Sequence, residues 1–314
     1  MKQTNALTLS NSNALPAWGT KFDTPTFNIF DDEATGTIFI HGKTYPYICD
    51  PHVMKLHLWQ QTPNVSVLVR LTEKIPFRFN HTQSVVLESI DLLKPAIPLN
   101  VAHNLYNMAE LAPDQMRYVD MLFNLINQLN TPLRQFLFNV FLNKEIAKAF
   151  VTVNASINHH HAWKGGLLVH SVESALMVSQ LARTWMTPVE AEATIVSALL
   201  HDIGKTRTFQ ENGHWSELGH YVSHDALSLE ILAPYLAELE KQWRTGAHLV
   251  RHILGWDRKQ KIFPAFPGTQ LMKMCDQFST ALELREATFK GKPNWHRHAR
   301  HEGNNTQRFL RLPQ

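Results

Sequence analysis

The sequence predicts an α+β protein, with a small N-terminal β-rich domain followed by an all-α domain. Two observations predict it. Short runs of β-branched and aromatic residues, broken by turn chemistry, occupy residues 26–95. From residue 103 onward apolar residues recur instead at three- and four-residue spacing, the helical period.

Composition bounds the answer further. At 314 residues the chain exceeds a typical single domain, and with 44% hydrophobic and 18% charged residues it can bury a sizeable core. No apolar run reaches membrane-spanning length, and the opening MKQTNALTLSNSNALPAW lacks a basic-then-apolar leader pattern, so a cytoplasmic protein without a membrane partner is expected. Cys49 and Cys275 form no CxxC pattern and are expected as packed thiols. A net charge of +3 is too small to imply a broad nucleic-acid-binding surface, whereas 18 histidines is a high count.

Residues 1–25, polar and without sustained period, are expected as a flexible arm. TFNIF, TGTIFIHG, VSVLVRL and IPFRF then read as strands, with DDEATG and QQTPN between them. Phe27, Phe30, Phe39, Tyr45, Tyr47, Trp59, Phe77 and Phe79 offer aromatic surface on which bases could stack, although a domain this small needs most of them for its core. LLKPAIPLN is the expected junction. The helices follow in MRYVDMLFNLINQLN and PLRQFLFNVFLNKEIAKAFV, the second opening with Thr131 as cap and Pro132 in the first turn. The helical period continues through GGLLVHSVESALMVSQLARTW, VEAEATIVSALLHDIG, DALSLEILAPYLAELEKQW and GTQLMKMCDQFSTALELREA, giving an all-α domain over residues 103–285. Residues 286–314 read as a basic tail. From Arg285 onward there are seven Lys or Arg against two Glu, with His296, His298 and His301, so a solvated, partly disordered segment is expected before a nucleic-acid contact.

Four polar residues stand out from the apolar helices. His170 lies among Leu167, Leu168, Val172, Leu176 and Val178; His201 and Asp202 close the next helix, which Gly204 is expected to stop, and Lys205 follows. Asp276 is a single carboxylate in LMKMCDQFSTALE. Singly, each has a structural explanation, such as a carbonyl or arginine partner. Together, each would need its own buried partner, and one metal cation satisfies all four.

His170, then HDIGK at 201–205, then a distant Asp276 resembles the HD-domain superfamily of metal-dependent phosphohydrolases. The resemblance implies that His170, His201, Asp202 and Asp276 ligate metal, that Asp202 and Lys205 are catalytic, and that Lys205 contacts phosphate. It also implies a divalent ion (Mn, Fe, Ni, Co or Mg), one or two per chain. HHAWKGGLLVH at 160–170, with LGH at 218–220, is more narrowly similar to the 3′-to-5′ exoribonuclease branch, whose members carry an OB-fold ahead of the HD domain, where residues 26–95 stand here. The same block, with GHY at 219–221 and LGW at 254–256, is also similar to HD domains of conjugative relaxase-associated proteins. Either likeness spans roughly residues 103–285.

A second ion would need further ligands. The exoribonuclease-like branch places two adjacent histidines near His252, whereas VRHILGWD supplies one. His220 and His224 are the other candidates, being four apart and on one face if their segment is helical. For substrate, His160 and His161 either line an entrance or hydrogen-bond the Gly165–Gly166 turn. Lys205 and Arg251 offer a point charge and a fork-like contact. The expected activity is hydrolysis of phosphodiester bonds in single-stranded RNA or DNA by a metal-activated water, exonuclease-like. The alternatives are a hydrolase of small nucleotides and a non-catalytic HD module of a DNA-transfer or nucleic-acid-processing machine.

Overall fold

The structure is a computed structural model and describes residues 16–22, 26–28, 33–40, 43–50, 67–76, 83–92, 97–106, 113–157, 161–256, 263–301 and 304–312. The chain divides into two compact units, Met1–Asn107 and Met108–Gln314.

The first unit carries β1 (Pro16–Phe22), β2 (Thr26–Asn28), β3 (Glu33–Ile40), β4 (Lys43–Cys49), β5 (Val67–Pro76), β6 (Gln83–Leu92) and α1 (Leu99–Tyr106). The sheet order is β1-β5-β6-β4-β3-β2, and a further antiparallel pairing of β1 with β3 closes five of these strands into a ring. Within the ring β4 and β6 run parallel, with Tyr47 opposite Val85 and Cys49 opposite Leu87. Tyr47 and Cys49, two residues apart, are both buried, as the period of a strand requires. Burial pushes the Cys49 thiol up to about 11, and the neighbouring Asp50 adds to the shift. Tyr47 is thus a core residue, while Phe30, Trp59, Phe77 and Phe79 lie outside the described residues. β1 falls within the segment expected as an arm. Its partners, Val67 to Arg70 of β5 and Ile38 to Ile40 of β3, are remote in sequence, so local composition did not reveal it.

The second unit contains α2 (Pro113–Asn127), α3 (Thr131–Leu142), α4 (Lys144–Thr152), α5 (Gly166–Trp185), α6 (Pro188–Leu200), α7 (Lys205–Thr208), α8 (Glu217–Tyr221), α9 (His224–Gln242), α10 (Arg244–Gly255) and α11 (Pro267–Phe289). Capping chemistry starts these helices. Thr187 and Glu190 form a reciprocal capping box with Pro188 in the first turn of α6. Asn130 caps α3, its side chain accepting from the Leu133 amide, so the cap stands one residue before the expected Thr131. Phe123, Phe136, Phe141 and Phe150 are buried in the core, the rings of Phe141 and Phe150 5.1 Å apart. Burial of each phenyl ring contributes about 2–3 kcal/mol of transfer free energy.

This unit is not purely helical. Within the segment expected as a solvated tail, α11 continues to Phe289, and β7 (His298–His301) and β8 (Asn304–Leu310) form an antiparallel hairpin that packs on α11. Its stability comes from docking: Ala299 is buried, and Arg311 lies over the Phe289 ring at 4.6 Å and donates to the carbonyls of Lys292 and Pro293. Such contacts leave no periodic apolar signature. Among the described residues no helix is long and apolar enough to cross a membrane. Both cysteines are free and buried.

Candidate metal centre

The first candidate ligand is delivered by α5. Gly165 has φ 82°, a left-handed conformation that favours glycine, and the adjoining Gly166 is needed for space, since a Cβ there would strike the carbonyl of His161. One turn into the helix, His170 is completely buried among Leu167, Leu168 and Val172.

The second pair comes from the turn after α6. His201 caps α6 in the right-handed helical region, and residues 201–204 turn directly into α7. Gly204 was expected to stop the helix, but α6 ends at Leu200 and Gly204, with φ −60°, leads directly into α7. What requires a glycine is close approach: a Cβ on residue 204 would meet the carbonyl of His224 at the tip of α9. Ser228 fastens the same junction, accepting from the Gly204 amide at 2.8 Å and donating to the His201 carbonyl at 3.0 Å.

The side chains converge. His170 Nε2 and His201 Nε2 face each other at 3.3 Å, and each stands 3.4 Å from Asp202 Oδ2. Asp276 Oδ1, from α11, is 3.4 Å from His170 Nε2 and 3.7 Å from His201 Nε2. The ligand atoms of His170, His201 and Asp276 all lie within 4.8 Å of one another. His201 Nδ1 is 2.7 Å from the carbonyl of Ala198. A carbonyl only accepts, so Nδ1 carries a proton, which in the neutral imidazole leaves the Nε2 lone pair facing the cluster. That orientation is the one by which a hydrogen-bonded imidazole serves a metal. Two imidazole nitrogens and carboxylate oxygens in one buried pocket suit a divalent transition ion, so the donor set fits the cation.

Electrostatics point the same way. Burial opposes the charged form of His170, yet hydrogen bonds to Asp202 and Asp276 outweigh it and raise the imidazole to about 9. Burial likewise works against the Asp202 carboxylate, but His201, Lys205, His170 and His224 together hold it well below the ordinary range. Asp276, also opposed by burial, is held far below it by His170 and His201. The pocket therefore favours positive charge, which a proton or a metal ion can supply.

Two further groups reach Asp202. Lys205 Nζ sits 2.6 Å from Oδ2 and is nearly buried, so it pairs with the carboxylate in this structure. His224 Nε2 lies 3.3 Å from Oδ1 at the half-exposed rim. His220 is not on the same face: α8 and α9 are separate helices broken at the Ser223 cap, and His220 is exposed with its ring 6.2 Å from that of Trp215. His252 packs its ring 5.2 Å from Phe266 and 5.4 Å from Trp256. Arg251 is occupied by Glu240 at 2.7 Å. His160 lies outside the described residues.

His161 lies behind the cluster. It adopts φ 50°, its carbonyl accepts from the Ala155 amide, and its buried ring stands 3.4 Å from Glu173 and 3.1 Å from Glu283, with its centroid 5.6 Å from that of His170. Glu173 also accepts from the Tyr118 hydroxyl at 2.6 Å. Burial would raise Glu173, but its bonds to His161 and Tyr118 lower it, whereas burial raises Glu283. These carboxylates went unnoticed in the sequence. The available signal was their spacing: Glu173 is three residues beyond His170 and Glu283 seven beyond Asp276, the same faces of the ligand-bearing helices.

Comparison with protein families matches residues 167–283 to the HD domain, a span containing all four converging residues and Lys205. This supports assignment of that segment to the HD superfamily of metal-dependent phosphohydrolases. Comparisons with curated proteins and with solved structures gave no match.

Proposed function

We propose that this chain, through its HD domain, is a phosphodiesterase that cleaves single-stranded nucleic acid in an exonuclease-like manner. The observation that carries the phosphohydrolase reading is the convergence of His170, His201 and Asp276 within 4.8 Å, with Asp202 Oδ2 at 3.4 Å from both imidazoles. His170, His201, Asp202 and Asp276 would hold the divalent ion. When bound, such an ion supplies a hydroxide nucleophile near neutral pH and neutralises charge on the phosphoryl oxygens.

The chain's own residues do the rest. His201 is held by Ala198 as a lone-pair donor. Asp202 offers Oδ2 to the two imidazoles and Oδ1 to His224, so Asp202 and His224 are the residues that would hold a second ion. Lys205 holds a positive charge at Oδ2, where it can shift to a phosphoryl oxygen. His161 and Glu283 set the spacing of α5 and α11 from behind.

The nucleic-acid reading draws on the ring of five strands in the first unit. Antiparallel pairs closed by one parallel pair, β4 with β6, are what an OB-like barrel would provide, and such barrels bind single strands. The experiment is elemental analysis of the purified protein, beside hydrolysis of bis-p-nitrophenyl phosphate with Mn²⁺, for wild type and Asp202→Ala. Metal-dependent turnover lost in the variant is expected. Absence of both metal and turnover under every divalent ion would overturn the catalytic reading. The 2.6 Å pairing of Lys205 with Asp202 favours a second reading, a binding module whose carboxylate is already neutralised. In that case Asp202→Ala would leave cellular function intact.

A further inference from the structure

The C-terminal hairpin carries a cationic surface that the metal centre does not use. In its register Ala299 pairs with Phe309, and Ala299 is buried against the unit. The alternate pairs, His298 with Leu310 and Arg300 with Arg308, therefore share the opposite face, because side chains alternate along a strand. Arg300 and Arg308 are both exposed and stand directly across from each other. Like charges in that relation oppose strand pairing. Neither has an acidic partner among the described residues, although Arg207, Arg251 and Lys205 each find a carboxylate elsewhere in the unit. The connection from α11 adds Lys290, Lys292 and Arg297, and it presents Trp295 at 72% exposure with the His296 ring set edge-on at 4.3 Å.

We propose that the outer face of this hairpin binds single-stranded nucleic acid, Arg300 and Arg308 on successive phosphates and Trp295 under a base. Two exposed guanidinium groups side by side, without an acidic partner among the described residues, suit a polyanion with closely spaced charges. An exposed indole in the segment leading into the hairpin suits unpaired bases, which offer a free π-face that a duplex or an acidic peptide lacks. Asp276 and Phe289 are 289 − 276 = 13 residues apart on one helix, so the end of α11, from which the chain leads into the hairpin, lies about 20 Å along the helix from Asp276. The proposal deepens the substrate assignment made above and rests on it for the fate of the strand. The binding itself does not need the metal.

The test is anisotropy of a labelled single strand of about 20 nucleotides, as DNA and as RNA, with the full chain in EDTA. Wild type is expected to bind. Arg300→Glu combined with Arg308→Glu should raise Kd at least about tenfold at ~0.1 M salt and flatten the salt dependence by roughly 1.4, about 0.7 for each phosphate contact. Trp295→Ala, at an exposed position, should raise Kd at least about fivefold without changing the melting temperature. Unchanged affinity in both variants would overturn the proposal, as would equal competition by duplex or by polyglutamate. A wild type that hydrolyses bis-p-nitrophenyl phosphate with Mn²⁺ yet binds neither strand would end the hairpin proposal and leave the phosphohydrolase reading standing. Arginine-dependent binding without turnover would do the reverse.

Discussion

The carbonyl of His224 lies where a Cβ on Gly204 would have to go, so the turn bearing His201 and Asp202 meets the tip of α9 backbone to backbone. Gly204 has φ −60° and ψ −23°, a conformation alanine adopts freely, so Gly204→Ala tests the approach alone. Overpacking there should cost about 1–3 kcal/mol and lower Tm by several degrees. Calorimetry that finds Tm unchanged would refute the close packing.

Asp276→Asn keeps the size of the side chain and removes its charge. The expected result is loss of bound metal and a fall in Mn²⁺-dependent turnover of at least about a hundredfold. Circular dichroism should show the fold retained. Full metal occupancy in the variant would exclude Asp276 as a ligand.

His161 tests the support behind the ligands. His161→Ala releases Glu173 of α5 and Glu283 of α11 from a shared partner. Supporting residues of this kind typically contribute 10–100-fold in metal affinity, so Kd for Mn²⁺ or Co²⁺ should rise by about that factor. The absorption spectrum of the Co²⁺ form should shift too, which a merely structural defect elsewhere would not cause. An unchanged spectrum and Kd would assign His161 to substrate instead.

Metal-free protein should show a pH dependence set by His170. Its folded pKa is raised from 6.5 to about 9, so its contribution to stability is complete below about 6.5 and is lost as pH rises through 9. Asp202 and Asp276 are depressed, so their contributions hold above about 3.8 and are lost as pH falls below it. The groups titrate as a cluster. Melting in EDTA between pH 6 and pH 10 should therefore show falling Tm, and a rising one would contradict the cluster.

Adding the ion back should stabilise. At a free concentration 100 times Kd the gain is about 2.7 kcal/mol, read as a higher Tm in Mn²⁺ than in EDTA. Asp202→Ala and Asp276→Asn should show no such difference.

The converging residues were legible because His170, His201, Asp202 and Asp276 interrupt apolar helices, where each would be costly alone. The α+β order of the chain was legible from the change of period. What surrounds the ligands was not. His224 reaches Asp202 because Ser228 and Gly204 fasten α9 to the turn, a tertiary contact without a local pattern. His220 misled because four-residue spacing implies a shared face only within one helix, and Ser223 starts a new one. β1 and the C-terminal hairpin are held by partners distant in the chain or by docking, which composition does not record.

The order of the ligands along the chain has a consequence for synthesis. His170, His201 and Asp202 emerge early, and Asp276 arrives from the last helix, 276 − 170 = 106 residues after the first. A chain halted before α11 carries three of the four groups and none of the closure. If these four groups hold an ion, its uptake would mark a finished polypeptide, and a truncated one would lack the tie between α11 and the helices before it.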